Sequence, residues 1–249
     1  MTIFVTAGHP LGGGAAVGPL RESPYNAHVA VLTVWRLREA GLEAWMAPLT
    51  RRPYPHDIHF KTAWINARAT PPDVAVDVHL DIGRSGCAVF ALEGPEHLAL
   101  ADLVAEELAR GTGLACRGGM PERETAVGRL GFLHGVVCRA LLVELCSMNT
   151  DDARFARRPG AKGRFAEALA TGLAEIVALG EHRITSPTTG AYRCPSRLDT
   201  TPPPCVNRRD GWIGDDEHGH SDGAVGATAA GAAADVGLDR CLGDLQPRV

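Results

Sequence analysis

The chain has 249 residues, 45% hydrophobic and 22% charged, enough for one sizeable globular core or a core with an appendage. A formal net charge of −4 offers no basic face for nucleic acid, and no run of about 18 apolar residues could cross a membrane. The seven cysteines include no C-x-x-C pair, which argues against a structural zinc built from thiolates.

Taken in order, residues 2–8 read as a first strand, closed by Gly8-His9. Gly8 to Gly14 interrupts the basic start and apolar core that a signal peptide needs, so export through such a peptide is not expected. The glycine-rich loop Pro10–Gly18 has neither G-x-G-x-x-G nor the lysine and hydroxyl of a P-loop. It reads as flexible backbone that can pass close to a site. Glu22 opens an amphipathic helix through Val29, Leu32, Val34, Leu37 and Ala40, with Gly41 as its cap. Leu42–Ala47 reads as a strand, and Thr50–His59 as a polar loop carrying Arg51, Arg52 and His56. A short helix over Phe60–Ala69 follows, stopped by Pro71-Pro72.

Val74–Asp81 has the continuous apolar character of a strand buried on both faces, and His79 stands at its carboxyl end. Another strand is expected at Gly86–Leu92 and a helix over Pro95–Gly111. Arg117–Gly131 reads as an irregular, substrate-facing loop. A further strand, Ala140–Glu144, ends in an acid. Asn149-Thr150-Asp151-Asp152 offers capping groups, and a last core helix runs over Phe165–Leu179 to Gly180. Cys87, Cys138 and Cys146 lie in or beside apolar runs and read as small core residues.

Residues 181–249 hold ten Val, Ile, Leu or Phe, too few for a conventional core. With Pro202-Pro203-Pro204 as an extended spacer, this tail reads as linker or disorder, dispensable for chemistry. Its Asp215–His220 stretch reads as a solvated acidic run rather than a metal site.

Several apolar runs therefore end or begin on chemistry: His9, Glu22, His79 and Glu144. Two imidazoles and a carboxylate are a common set for a catalytic zinc, and a further carboxylate can shuttle protons. The residues thus suggest a zinc hydrolase. Taken singly, Glu22 could serve only the helix dipole, and Glu144 could merely close a strand and pair with Arg139. Asp77 and Asp81 share a strand face with His79 and could orient it, with Asp81 preferred for its place at the rim. His28 is off the helix face of Glu22, His56 and His59 stand before a helix where they could line the cleft without binding metal, and His97 and His134 have no partner spacing.

The order of these pieces resembles the zinc-dependent N-acetylmuramoyl-L-alanine amidases of the Amidase_3 family. The resemblance rests on Gly8-His9, on Glu22 with Asn26, on Asp77-Val78-His79-Leu80-Asp81, on Leu142-Val143-Glu144, and on Ser147-Met148-Asn149-Thr150-Asp151. It spans about residues 2–180. The chain would be a divergent member: Thr6-Ala7-Gly8-His9-Pro10-Leu11 replaces the usual Asp-Pro-Gly-His-Gly-Gly, Asp81 replaces an asparagine, and Lys61 stands where arginine is common.

The resemblance implies zinc held by His9, Glu22 and His79, with Glu144 as general acid and base. The bond cleaved would join N-acetylmuramic acid to L-alanine in peptidoglycan or a muropeptide. Such a protein would be made in the cytoplasm and reach the wall by release or another export route, as host autolysin or phage lysin. Alternatives are a zinc carboxypeptidase, another amidohydrolase, or a metal-free wall-binding module. The expected fold is α/β: a three-layer α/β/α domain over residues 1–180, with a mixed, mostly parallel central sheet and a low-complexity C-terminal tail.

Overall fold

The computed structural model of the chain describes residues 1–185. The chain begins with β1 (Ile3–Ala7), a small antiparallel hairpin of β2 (Ala16–Val17) and β3 (Leu20–Arg21), then α1 (Glu22–Glu39) and β4 (Ala44–Met46). Next come α2 (His56–Asn66), β5 (Val74–Asp81), β6 (Cys87–Ala91), α3 (Pro95–Thr112) and β7 (Cys116–Pro121). A single 3-10 turn at Glu122–Glu124 leads to α4 (Gly131–Gly135), β8 (Arg139–Ser147), α5 (Asp152–Ala156) and α6 (Ala161–Thr185).

Six strands form one sheet in the order β4-β1-β5-β8-β6-β7. The first four are mutually parallel, β6 is antiparallel to β8, and β7 is parallel to β6. Alternation along the strands divides the interior into two layers. Ile3, Val5 and Ala7 of β1, Val74, Val76 and Val78 of β5, and Leu141, Val143 and Leu145 of β8 face α1, α3 and α6. Phe4, Ala75, Ala140 and Leu142 face the other way, onto Ile65 of α2 and Phe132 and Leu133 of α4. This is the expected three-layer α/β/α arrangement with a mixed, mostly parallel sheet. Because side chains alternate, Thr6, Asp77, His79 and Glu144 belong to the α2 side of the sheet. His79 and Glu144 are paired in register on neighbouring β5 and β8.

Four boundaries differ from the sequence expectations. The helix α2 starts at His56, a turn before Phe60, so His56 and His59 are helical rather than in a loop. Glu144 does not end its strand: β8 continues through Ser147. Arg117 lies in the edge strand β7, which runs antiparallel to β5 and β8. Residues 122–130 lead from the far end of β7 to Gly131, where a Cβ would stand 3.6 Å from Ile58 in the first turn of α2. Finally, Gly180 does not terminate the last helix, which continues to Thr185. A Cβ on Gly180 would lie 2.5 Å from Cε of Met1, so this glycine makes room for the N-terminus. The spacer and the Asp215–His220 run lie outside the described residues.

Candidate metal centre

The site gathers at the carboxyl edge of β1 and β5, where loops rather than ladder partners follow the strands. The chain leaves β1 through Gly8, whose N–H donates to the Val78 carbonyl at 2.7 Å. A Cβ there would fall 2.3–2.5 Å from the His79 ring, so the imidazole lies directly on bare backbone. His9 then turns with φ of 63°, the one non-glycine residue in the left-handed region among those described. A conformation of that kind costs on the order of 1–3 kcal/mol and persists only where its surroundings fix it. Gly14 completes the cradle: a Cβ on it would stand 2.9 Å from both Glu22 Oε2 and His9 Cδ2.

Glu22 enters as the first residue of α1, where the helix amides favour an anion. Its Oε2 accepts the Ala15 N–H at 2.8 Å, and its Oε1 lies 3.0 Å from His9 Nε2 and 3.2 Å from His79 Nδ1. Burial resists ionisation here. The hydrogen bonds from His79 and His9, with the His79 charge and the Ala15 amide, outweigh it and hold the carboxyl well below its usual range. On its far side, His79 Nε2 meets Asp77 Oδ2 at 3.0 Å, and Thr6 Oγ1 donates to the other Asp77 oxygen. Burial alone would lower the His79 pKa. The Asp77 charge and the hydrogen bonds to Asp77 and Glu22 push it up to about 10.

This pattern tests the site for a cation. Asp77 fixes the His79 proton on Nε2, so a neutral ring points its Nδ1 lone pair at the Glu22 carboxylate. Two electron-rich atoms 3.2 Å apart need a proton or a metal ion between them. Donor atoms of His9, Glu22 and His79 all lie within 4.8 Å of one another, the one such group among the described residues. Ligands of a tetrahedral ion bound at ~2.1 Å stand about 3.4 Å apart, so the set fits with small adjustments. The group can hold a metal ion. Glu22 is nearly enclosed, whereas the His9 side chain is 38% exposed, so the open side of the site lies beside His9.

Glu144 stands across from this group without joining it. Its Oε2 is buried with no hydrogen-bond partner. Burial pushes the carboxyl up to about 8, with the Asp81 and Glu22 charges adding to that against His79 and Arg117. Arg139 is not its partner; that guanidinium pairs with Glu96 at 2.8 Å, at the other end of β8.

Of the two aspartates weighed from the sequence, Asp77 orients His79, and the preference for Asp81 is overturned. A register irregularity between His79 and Asp81 separates them, and Asp81 pairs instead with Arg117 at 2.6 Å. The other histidines stay apart: His56 and His59 stack edge to face on α2, and His134 pairs with Glu122. The sequence placed Gly8 beside His9, Gly14 in a loop passing close to a site and Lys61 where arginine is common, but gave none of them a contact, and Arg117 read only as the start of a loop.

No family model matches the chain, and no curated protein matches it. Solved structures do. The catalytic domain of CwlV, an N-acetylmuramoyl-L-alanine amidase from Bacillus (Paenibacillus) polymyxa var. colistinus, superposes with a TM-score of 0.60 at 19% identity. The alignment covers 72% of this chain and 99% of that one. The amidase AmiC2 of Nostoc punctiforme gives 0.59 at 18% identity, over 71% and 97% of the two chains. The amidase Ami1 of Mycobacterium abscessus gives 0.59 at 19%, over 71% and 98%. At such identities the likeness is one of architecture: the described residues have the fold of N-acetylmuramoyl-L-alanine amidase catalytic domains.

Proposed function

We propose that this chain is a zinc-dependent amidase of the Amidase_3 type, hydrolysing the amide between N-acetylmuramic acid and L-alanine in peptidoglycan. The observation that carries the reading is the convergence of His9 and His79 on one Glu22 oxygen, with an unpartnered carboxyl, Glu144, beside them. The shared fold supports it. The absence among the described residues of any helix long and apolar enough to span a membrane is compatible with action on the wall.

His9, Glu22 and His79 would hold the zinc, which when bound supplies Lewis acidity to polarise the amide carbonyl and acidify water. Asp77 keeps the His79 proton on Nε2, leaving Nδ1 free to ligate. Glu144 accepts the proton of the attacking water and delivers it to the departing amide nitrogen. Burial pushes the carboxyl up to about 8 in the metal-free protein, so it holds a proton readily, and the positive charge of bound zinc would favour the carboxylate that accepts one.

Purified peptidoglycan, incubated with the zinc-loaded protein, should yield new L-alanine amino termini and free lactyl carboxyls on muramic acid. Release of a free C-terminal amino acid would assign a carboxypeptidase instead. Binding to the wall with no new ends would assign a binding module.

A further inference from the structure

We infer that Lys61 is a positioning residue, a buried ammonium that clamps the backbone of His9 and thereby sets the geometry of the His9–Glu22–His79 group. The inference rests on the proposed metal site and adds a residue on the opposite side of its loop.

Lys61 lies on α2 and is 2% exposed, among the largest fully buried side chains of the described residues. Lysine is rarely buried so completely, since its charge must be compensated where it ends up. Here the Nζ donates to the Ala7 carbonyl, and to the His9 carbonyl at 3.4 Å. These two acceptors bracket Gly8 and the left-handed turn at His9. One ammonium thus ties the end of β1 to the loop that carries a proposed ligand. Among the described residues no other side chain hydrogen-bonds either carbonyl.

The ammonium also lies 4.0 Å from Asp57 Oδ2, one helical turn earlier and also buried. Lys61 therefore supports His9 through backbone, with Asp57 beside it as the compensating charge. A hydrocarbon of similar length could fill the space but make neither contact.

Lys61→Met, Lys61→Arg and the double variant Asp57→Asn/Lys61→Met separate this from simple packing. The double variant removes the carboxylate left unpaired, and carries the test if Lys61→Met alone does not fold. Two readouts are made on folded protein. In metal-free protein, amide resonances of residues 8–11 should shift or broaden in the Met variants, with those of α3 and β7 unchanged and Lys61→Arg close to wild type. In zinc titrations against a chromophoric chelator, the Met variants should lose about 10–100-fold in affinity, the range seen for supporting partners of metal ligands, with Lys61→Arg restoring most of it.

Folded Met variants with wild-type resonances at 8–11 and wild-type zinc affinity would overturn the inference, even if their melting temperature fell. If the loop resonances move as expected but wild-type protein binds no zinc, the clamp stands and the zinc reading of the site fails.

Discussion

Glu144 is an acid held back from its charge by burial, and that makes its substitution informative. Glu144→Gln keeps shape and polarity while removing the titrating proton, so zinc binding should persist and turnover should fall by about 10²–10⁴-fold. Bound zinc, melting temperature and muropeptide cleavage measured on one preparation check this; near-normal turnover with zinc in place would remove Glu144 from the mechanism. At this scale much of the site was legible. His9, Glu22, His79 and Glu144 each stand at or near the edge of an apolar run, and that is a local pattern. What was illegible depended on distant partners. Strand parity allowed both Asp77 and Asp81 to serve His79; the choice was made by a register irregularity and by Arg117, arriving from β7. Nothing near Lys61 in the sequence announces that an ammonium there reaches the carbonyls of Ala7 and His9.

Among the elements, β7 shows why a strand can look like a loop. Its Gly118-Gly119 pair lacks the β-branched and aromatic residues that mark strands. The structure requires that lack, because β7 is pressed against α3. A Cβ on Gly119 would come within 2.5 Å of the Asp102 nitrogen and 2.7 Å of the Leu98 carbonyl oxygen, both helix backbone. Neither can yield as a flexible side chain would. Gly119→Ala should therefore destabilise the fold by about 1–3 kcal/mol or more, while zinc affinity stays at the wild-type value, since β7 supplies none of the proposed ligands. Denaturant unfolding and chelator competition on the same variant test the two halves; an unchanged midpoint would show that α3 can shift away from the sheet. The buried strands β1, β5 and β8, by contrast, were readable from continuous apolar runs, because both faces are covered by helices. The early start of α2 was not, since its first turn is polar and half exposed.

For the molecule as a whole, protons and metal compete for one folded state. Without metal, His79 titrates at about 10 against 6.5 when unfolded, and Glu144 at about 8 against 4.5. The Glu144 contribution to stability is fully present below pH 4.5 and lost as pH rises through about 8; that of His79 is present below 6.5 and lost through about 10. Glu22 and Asp77, both held low, act in the opposite sense and lose their contribution only on acidification. The metal-free melting temperature should therefore fall from about pH 6 to about pH 9, while zinc, which takes the place of the His79 proton, offsets the fall. Calorimetric titration in buffers of different ionisation enthalpy should show protons released on zinc binding; a metal-free melting temperature that rises over that interval would contradict the assignment.

The strand order carries a consequence for biosynthesis. The sheet consists of two flaps, β4-β1-β5 and β6-β7, and β8, the last strand of the described residues to leave the ribosome, is the seam between them. All three proposed ligands belong to the first flap and its flanking loop and helix, while Glu144 arrives with the seam. The three proposed ligand residues thus leave the ribosome before the proton carrier does. A polypeptide arrested before Arg139 would hold the ligands and lack the chemistry.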